Sequence, residues 1–255
     1  MMPTLEIARL TFSDLVRRRV FVVLALFAVG LVLLSFPLRE LTIGQWYRLI
    51  TDVGLASTDA ALSLLAIFLG ASLIAGDLER KTLYPLLAKP VSRRAFVTGR
   101  FLGLVAVLAS LALAMILGTA AMLVLARQRG FGPVLQAGML LLVQAITIGG
   151  LSILFSSFTS TTLAATFGLS FAIIGHLTSQ LAYFGGKSTS ALSRSLTQGA
   201  ARVIPNLEFM NIKTLAAHHQ MLSWPNAGIR SLYGLAYAIV VVAAGAMIFG
   251  QRDLK

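Results

Sequence analysis

Six stretches of this chain, residues 20–36, 56–75, 101–125, 134–155, 163–184 and 229–249, are almost purely apolar, and nearly all the charged residues fall between them. A helix of about 20 apolar residues, rising about 1.5 Å per residue, is long enough to cross the hydrocarbon core of a bilayer. A charge inside that layer costs on the order of 3 kcal/mol. A chain divided in this way folds as a set of spans joined by water-facing connectors. Composition points the same way: 57% of residues are hydrophobic and 12% charged, with a mean hydropathy of +0.86. Soluble domains carry about 25% charged residues. The expected fold class is an all-α integral membrane protein with six transmembrane helices, the first being the shortest.

The net charge of +12 could suggest nucleic acid, but the basic residues lie in connectors and not on one face of a globular domain. Lipid headgroups are the expected partners, and no nucleic acid is expected. Six spans place both termini on one side. That side holds 12 of the 21 Lys and Arg residues, so both termini are expected to be cytoplasmic. The chain has no cysteine, which excludes disulfides, thiolate metal sites and a Cys nucleophile. Charged residues precede the first apolar run and no small-residue cleavage pattern follows it, so no signal peptide is expected.

Residues 76–103 form the most unusual connector, with six Lys/Arg, Asp77, Glu79 and two prolines between apolar flanks. Thr82 can cap a short helix through Leu83, Tyr84 and Pro85 that ends at Lys89–Pro90. Ser92 can cap a second helix running through Arg93, Arg94 and Phe96 into the third span. Residues 3–19 read as an amphipathic interfacial helix, with Leu5, Ala8, Phe12 and Leu15/Val16 on one face and Glu6, Arg9, Asp14 and Arg17 on the other. A plain charged lead-in to the first span is the alternative. The loop at 185–228 should be extracytoplasmic and carry two short helices. One bears Leu192, Leu196 and Val203, with Ser190 as its cap; the other bears Ile212, Leu215, His219 and Leu222. A lid and simple packing at headgroup level are both open. Trp46, Tyr47 and Trp224 suit an aromatic belt.

Few residues suggest chemistry. The string at 185–189, Gly-Gly-Lys-Ser-Thr, resembles the end of a phosphate loop, but Leu181 stands where the motif requires glycine. ATP binding by this chain is not expected. His218 and His219 lack metal-ligand spacing, and no metal is expected. His176 and Gln180 in the fifth span and Gln144 in the fourth could line a pathway, or simply bond to neighbouring helices. Asp59 falls near the start of the second span, where the helix dipole favours an acid, so a structural role is expected. No pair of carboxylates lies within the spans, which argues against proton-coupled transport. Gly99 and Gly103 form a GxxxG that permits close helix packing.

Several strings in order, Glu79-Arg80-Lys81-Thr82-Leu83, Leu86 to Arg93, Gly99 to Gly103, Ile204-Pro205-Asn206-Leu207-Glu208 and Arg252-Asp253-Leu254, resemble the permease subunit of type-2 ABC transporters. The resemblance covers nearly the whole chain as a single permease domain. It implies an elbow helix at 1–19 and a coupling segment at 76–100 that docks on a separate ATPase, with Glu79, Arg80, Lys81, Tyr84, Arg93 and Arg94 as contacts. Headgroup binding is the alternative role for the basic residues. It further implies an extracytoplasmic gate at 185–228 that includes Pro205, Asn206 and Glu208. The implied assembly is two permease chains, expected as a homodimer, with two ATPase subunits that bind ATP and Mg, in the bacterial inner membrane. By this resemblance the chain is not itself an enzyme and helps to export a bulky or amphiphilic substrate. The competing classes are a membrane scaffold and a channel or secondary transporter. The spans show neither charge rings nor matched broken helices.

Overall fold

The computed structural model describes residues 2–34, 45–79, 92–187, 199 and 204–251. Among them the chain is helical, without strands: α1 (Met2–Val16), α2 (Arg19–Leu34), α3 (Trp46–Glu79), α4 (Arg93–Leu125), α5 (Gly132–Ser156), α6 (Thr161–Lys187), α7 (Lys213–Ala217) and α8 (Trp224–Gln251), with a 3-10 turn at Glu208–Met210. Five helices contain apolar segments long enough to cross a membrane: α3, α4, α5, α8 and the Thr161–Thr178 part of α6. The chain is therefore a multi-pass membrane protein. The expected first span falls on α2, whose 16 residues rise only about 24 Å, short of the roughly 30 Å hydrocarbon core. Residues 35–44 lie outside the described residues, so the described helices supply five of the six expected spans.

α3 lies at the centre, packed against α2, α4, α5, α6 and α7. Its Leu62, Leu65, Leu69 and Leu73 are buried in one core with Leu104 and Leu108 of α4 and Leu140 and Ile148 of α5. Outward faces stay apolar, as on α8, where Leu232 and Val240 are 69% and 67% exposed, the pattern of a bundle solvated by lipid.

Local signals explain several boundaries. Ser92 accepts a hydrogen bond from the Ala95 N–H at 3.2 Å, the cap expected for α4. Pro133 starts α5, where its missing N–H removes no helical bond. α3 begins ten residues before the expected 56. Its first turns are amphipathic, burying Tyr47, Ile50 and Gly54 while Arg48 and Asp52 pair outward at 3.7 Å, so hydropathy alone does not reveal them.

α1 turns one face to the bundle. Ile7, Thr11 and Leu15 are buried, whereas Leu5 is 66% exposed. The reason lies in the GxxxG: a Cβ on Gly103 would sit 2.5 Å from Thr11 Cβ, and one on Gly99 would sit 2.8 Å from Ile7. These glycines admit α1 and not another span.

α1 and the last turn of α8 lie at the same end of the bundle, here the near end. Arg18 Nη1 donates to Ser72 Oγ near the end of α3 at 2.7 Å. Arg93 Nη1 donates to the Phe249 and Gly250 carbonyls at the end of α8, at 3.4 and 3.3 Å.

Candidate functional site

The near end frames the 80–91 segment. Arg80, Lys81 and Tyr84 lie outside the described residues. The flanking helix ends are tied into the bundle. Glu79 accepts from the Thr161 N–H at 2.9 Å and the Thr161 hydroxyl at 3.0 Å, so α3 caps the first turn of α6. Arg93 reaches the last carbonyls of α8, where a cation complements the helix dipole. Arg94 is exposed. Just inside, Asp77 pairs with Arg100, each side chain 12% exposed, and the guanidinium lies 5.2 Å over the Phe96 ring. Ser156 of α5 donates to the Ala71 carbonyl at 2.7 Å and accepts from the Ala75 N–H at 2.9 Å, joining α5 to the backbone of α3.

The far end holds the second cluster. Asp59 Oδ2 pairs with Lys213 Nζ of α7, while Asp59 Oδ1 accepts from Gln144 Nε2 at 2.7 Å and from Ser63 Oγ at 3.4 Å. Gln144 Nε2 also lies 3.5 Å from His176 Nε2, and His176 Nδ1 lies 3.5 Å from Glu208 Oε2. The two ring nitrogens of His176 thus face an amide on one side and a carboxylate on the other. Asn211 Nδ2 donates to both Glu208 oxygens at 3.1 and 3.0 Å. Burial falls along this chain, from Gln144, fully buried, to Glu208, 46% exposed. The Gln144 Oε1 atom is buried without a hydrogen-bond partner among the described residues.

Asp59 therefore departs from the macrodipole account. It lies 13 residues inside α3, far from the orphan N–H groups of the first turn, and its nearest partners, Lys213 and Gln144, come from other elements. The 18 residues from Asp59 to Asp77 rise about 27 Å, close to the thickness of the hydrocarbon core. Gln180, one turn beyond His176, is exposed and does not join the cluster among the described residues.

The expected gate residues are firmly seated. Pro205 and Leu207 are buried, the Leu207 N–H donates to the Gly175 carbonyl at 3.1 Å, and Asn206 Oδ1 accepts from the Phe209 N–H at 3.1 Å to close the 3-10 turn. The first expected loop helix, with Ser190, lies outside the described residues. The second is only α7, because the chain turns at His219 with φ of 60°. Leu222 is then held by the Gln136 side chain, which donates to its carbonyl at 2.9 Å and accepts from its N–H at 2.8 Å. Tyr47, expected in the aromatic belt, is buried, with its ring stacked 3.4 Å from His219 and its hydroxyl donating to the Gly130 carbonyl.

A groove of about 320 Å³ runs between α3 and α6, from Asp59, Ser63 and His176 along Leu64, Ile67 and Ile173. Asp59 and His176 are the ionisable groups among its described lining residues. No three His, Asp or Glu converge as a metal site would require, among the described residues. Sequence reading missed Lys213 and the paired role of Asp59. An acid inside an apolar helix was the available signal, since such a group needs a partner.

The family model described as ABC-2 family transporter protein matches residues 5–254. No curated protein matches the chain.

Proposed function

The chain belongs to the ABC-2 transporter family, and from that premise we propose that it is the permease subunit of an ATP-driven exporter in the bacterial inner membrane. A separate ATPase binds ATP and Mg and docks on the 80–91 segment from the cytoplasm, which makes the near end cytoplasmic. The assembly contains two permease chains, as a homodimer, and two ATPases. Its cargo is bulky or amphiphilic.

The observation that carries the coupling role is the clamping of the segment's two flanks. Glu79 is bonded to the start of α6, and Arg93 to the end of α8. A push on 80–91 thus reaches four long helices at once: α3 and α4 through the chain, α6 and α8 through these bonds. Glu79 and Arg93 act in this reading as transmitters inside the chain. Arg94, exposed beside them, is better placed to meet the partner. At the other end Pro205, Asn206 and Glu208 form a plug whose ties to α6 must loosen for cargo to leave.

Affinity-tagged full-length chain, purified from its own host, is expected to retain a subunit with a Walker A motif that hydrolyses ATP. Retention of no such subunit would sink the reading. Replacing residues 81–89 by a Gly/Ser linker should abolish that retention while leaving the chain in the membrane.

A further inference from the structure

The far-end cluster is built around an acid whose cation is supplied by a short, separate element. Asp59 is buried in the wall of the α3–α6 groove, and the Lys213 ammonium that satisfies it comes from α7, a five-residue helix 154 residues away in sequence. Gln144 of α5 donates to the same carboxylate at 2.7 Å. The cluster contains two carboxylates, Asp59 and Glu208, against one ammonium. Beyond Asp59, Ser63 and His176 the groove is apolar, with Leu64, Ile67 and Ile173 along its walls.

We infer that this groove binds an amphipathic primary amine, whose ammonium displaces Lys213 from Asp59 and whose apolar body lies between α3 and α6. A primary ammonium offers three N–H donors and no acceptor. It can satisfy Asp59 as Lys213 does. Lys213 is a tethered equivalent of that ligand, and exchanging one ammonium for the other keeps the buried acid paired throughout. Displacement also releases the link between α7 and α3. Calling the amine cargo rests on the permease reading; the binding itself does not.

Lys213 as a competitor gives the test an unusual sign. Binding of radiolabelled dodecylamine is measured on the full-length chain in phosphatidylcholine nanodiscs without ATPase, with empty nanodiscs subtracted. Lys213→Met should tighten binding about tenfold, because the competing ammonium is gone. Asp59→Asn should weaken it by about tenfold or more. The double variant Asp59→Asn/Lys213→Met, which leaves no lone buried charge and guards against misfolding, should match Asp59→Asn. Dodecyltrimethylammonium, with no N–H donor, should bind less tightly than dodecylamine, and dodecanol should show no dependence on Asp59. If Lys213→Met binds the amine no more tightly than the parent, or if loss of the acid leaves affinity unchanged, the inference is overturned. Failure of the permease reading would look different: amine binding would persist in a chain that retains no ATPase.

Discussion

Two ion pairs of the same chemistry sit at opposite ends of the bundle. Asp77 with Arg100 and Asp59 with Lys213 each hold an acid that is 12% exposed. Their cations differ. Arg100 belongs to the 33-residue α4, is 12% exposed, and lies over the Phe96 ring. Lys213 belongs to the five-residue α7, is 24% exposed, and reaches its acid on a flexible four-carbon stem. A pair between two long packed helices cannot separate without disturbing the core. One whose cation rides on a short loop helix can separate at a lower cost. The near pair is a strut and the far pair is a latch.

The comparison breaks if the two ends respond alike to loss of the cation. The largest expected effect is at the strut: Arg100→Met takes the guanidinium from the buried Asp77 carboxylate, at a cost of about 3–5 kcal/mol, read by thermal unfolding in detergent. Removing Asp77 as well, as Asp77→Leu/Arg100→Met, should restore most of that loss. Next is Gly103→Leu, which forces α1 off α4 and should cost about 1–3 kcal/mol, with faster proteolysis after Arg17. At the latch, Lys213→Met should cost only about 1–2 kcal/mol, since α7 can shift and let water reach Asp59. An unfolding shift as large as that of Arg100→Met would show that the far pair is also a strut. The smallest effect is expected at Glu79→Ala, which uncaps α6 by about 1 kcal/mol or less and should raise hydrogen exchange at Thr161 and Thr162.

Much of the near end was legible from sequence. The Ser92 cap, the start of α4 and the existence of α1 all depend on neighbours within a few residues, and those neighbours are written consecutively. Which side of α1 packs on the bundle was not legible, because Leu5 and Ile7 are equally apolar; the two glycines on α4 select Ile7 and Thr11 to face inward. The early start of α3 was missed for a related reason. Its first turns bury one face against α4 and the loops, so average hydropathy there is unremarkable although the helix is continuous. The residues of the far cluster were mostly visible as oddities, His176, Gln144 and Asp59, each polar in an apolar run. Their partnership was not visible.

By itself the sequence determined that the chain is a multi-pass helical membrane protein, since the cost of burying charge in hydrocarbon acts residue by residue and leaves a pattern in the linear order. It also carried the family. Only the tertiary structure decided which polar residues meet: Asp59 with Lys213, Gln144 with Asp59 and His176, His176 with Glu208. Those meetings depend on the axial offset and rotation of each helix against its neighbours. Close packing of the buried side chains sets both, and no local run of residues encodes either.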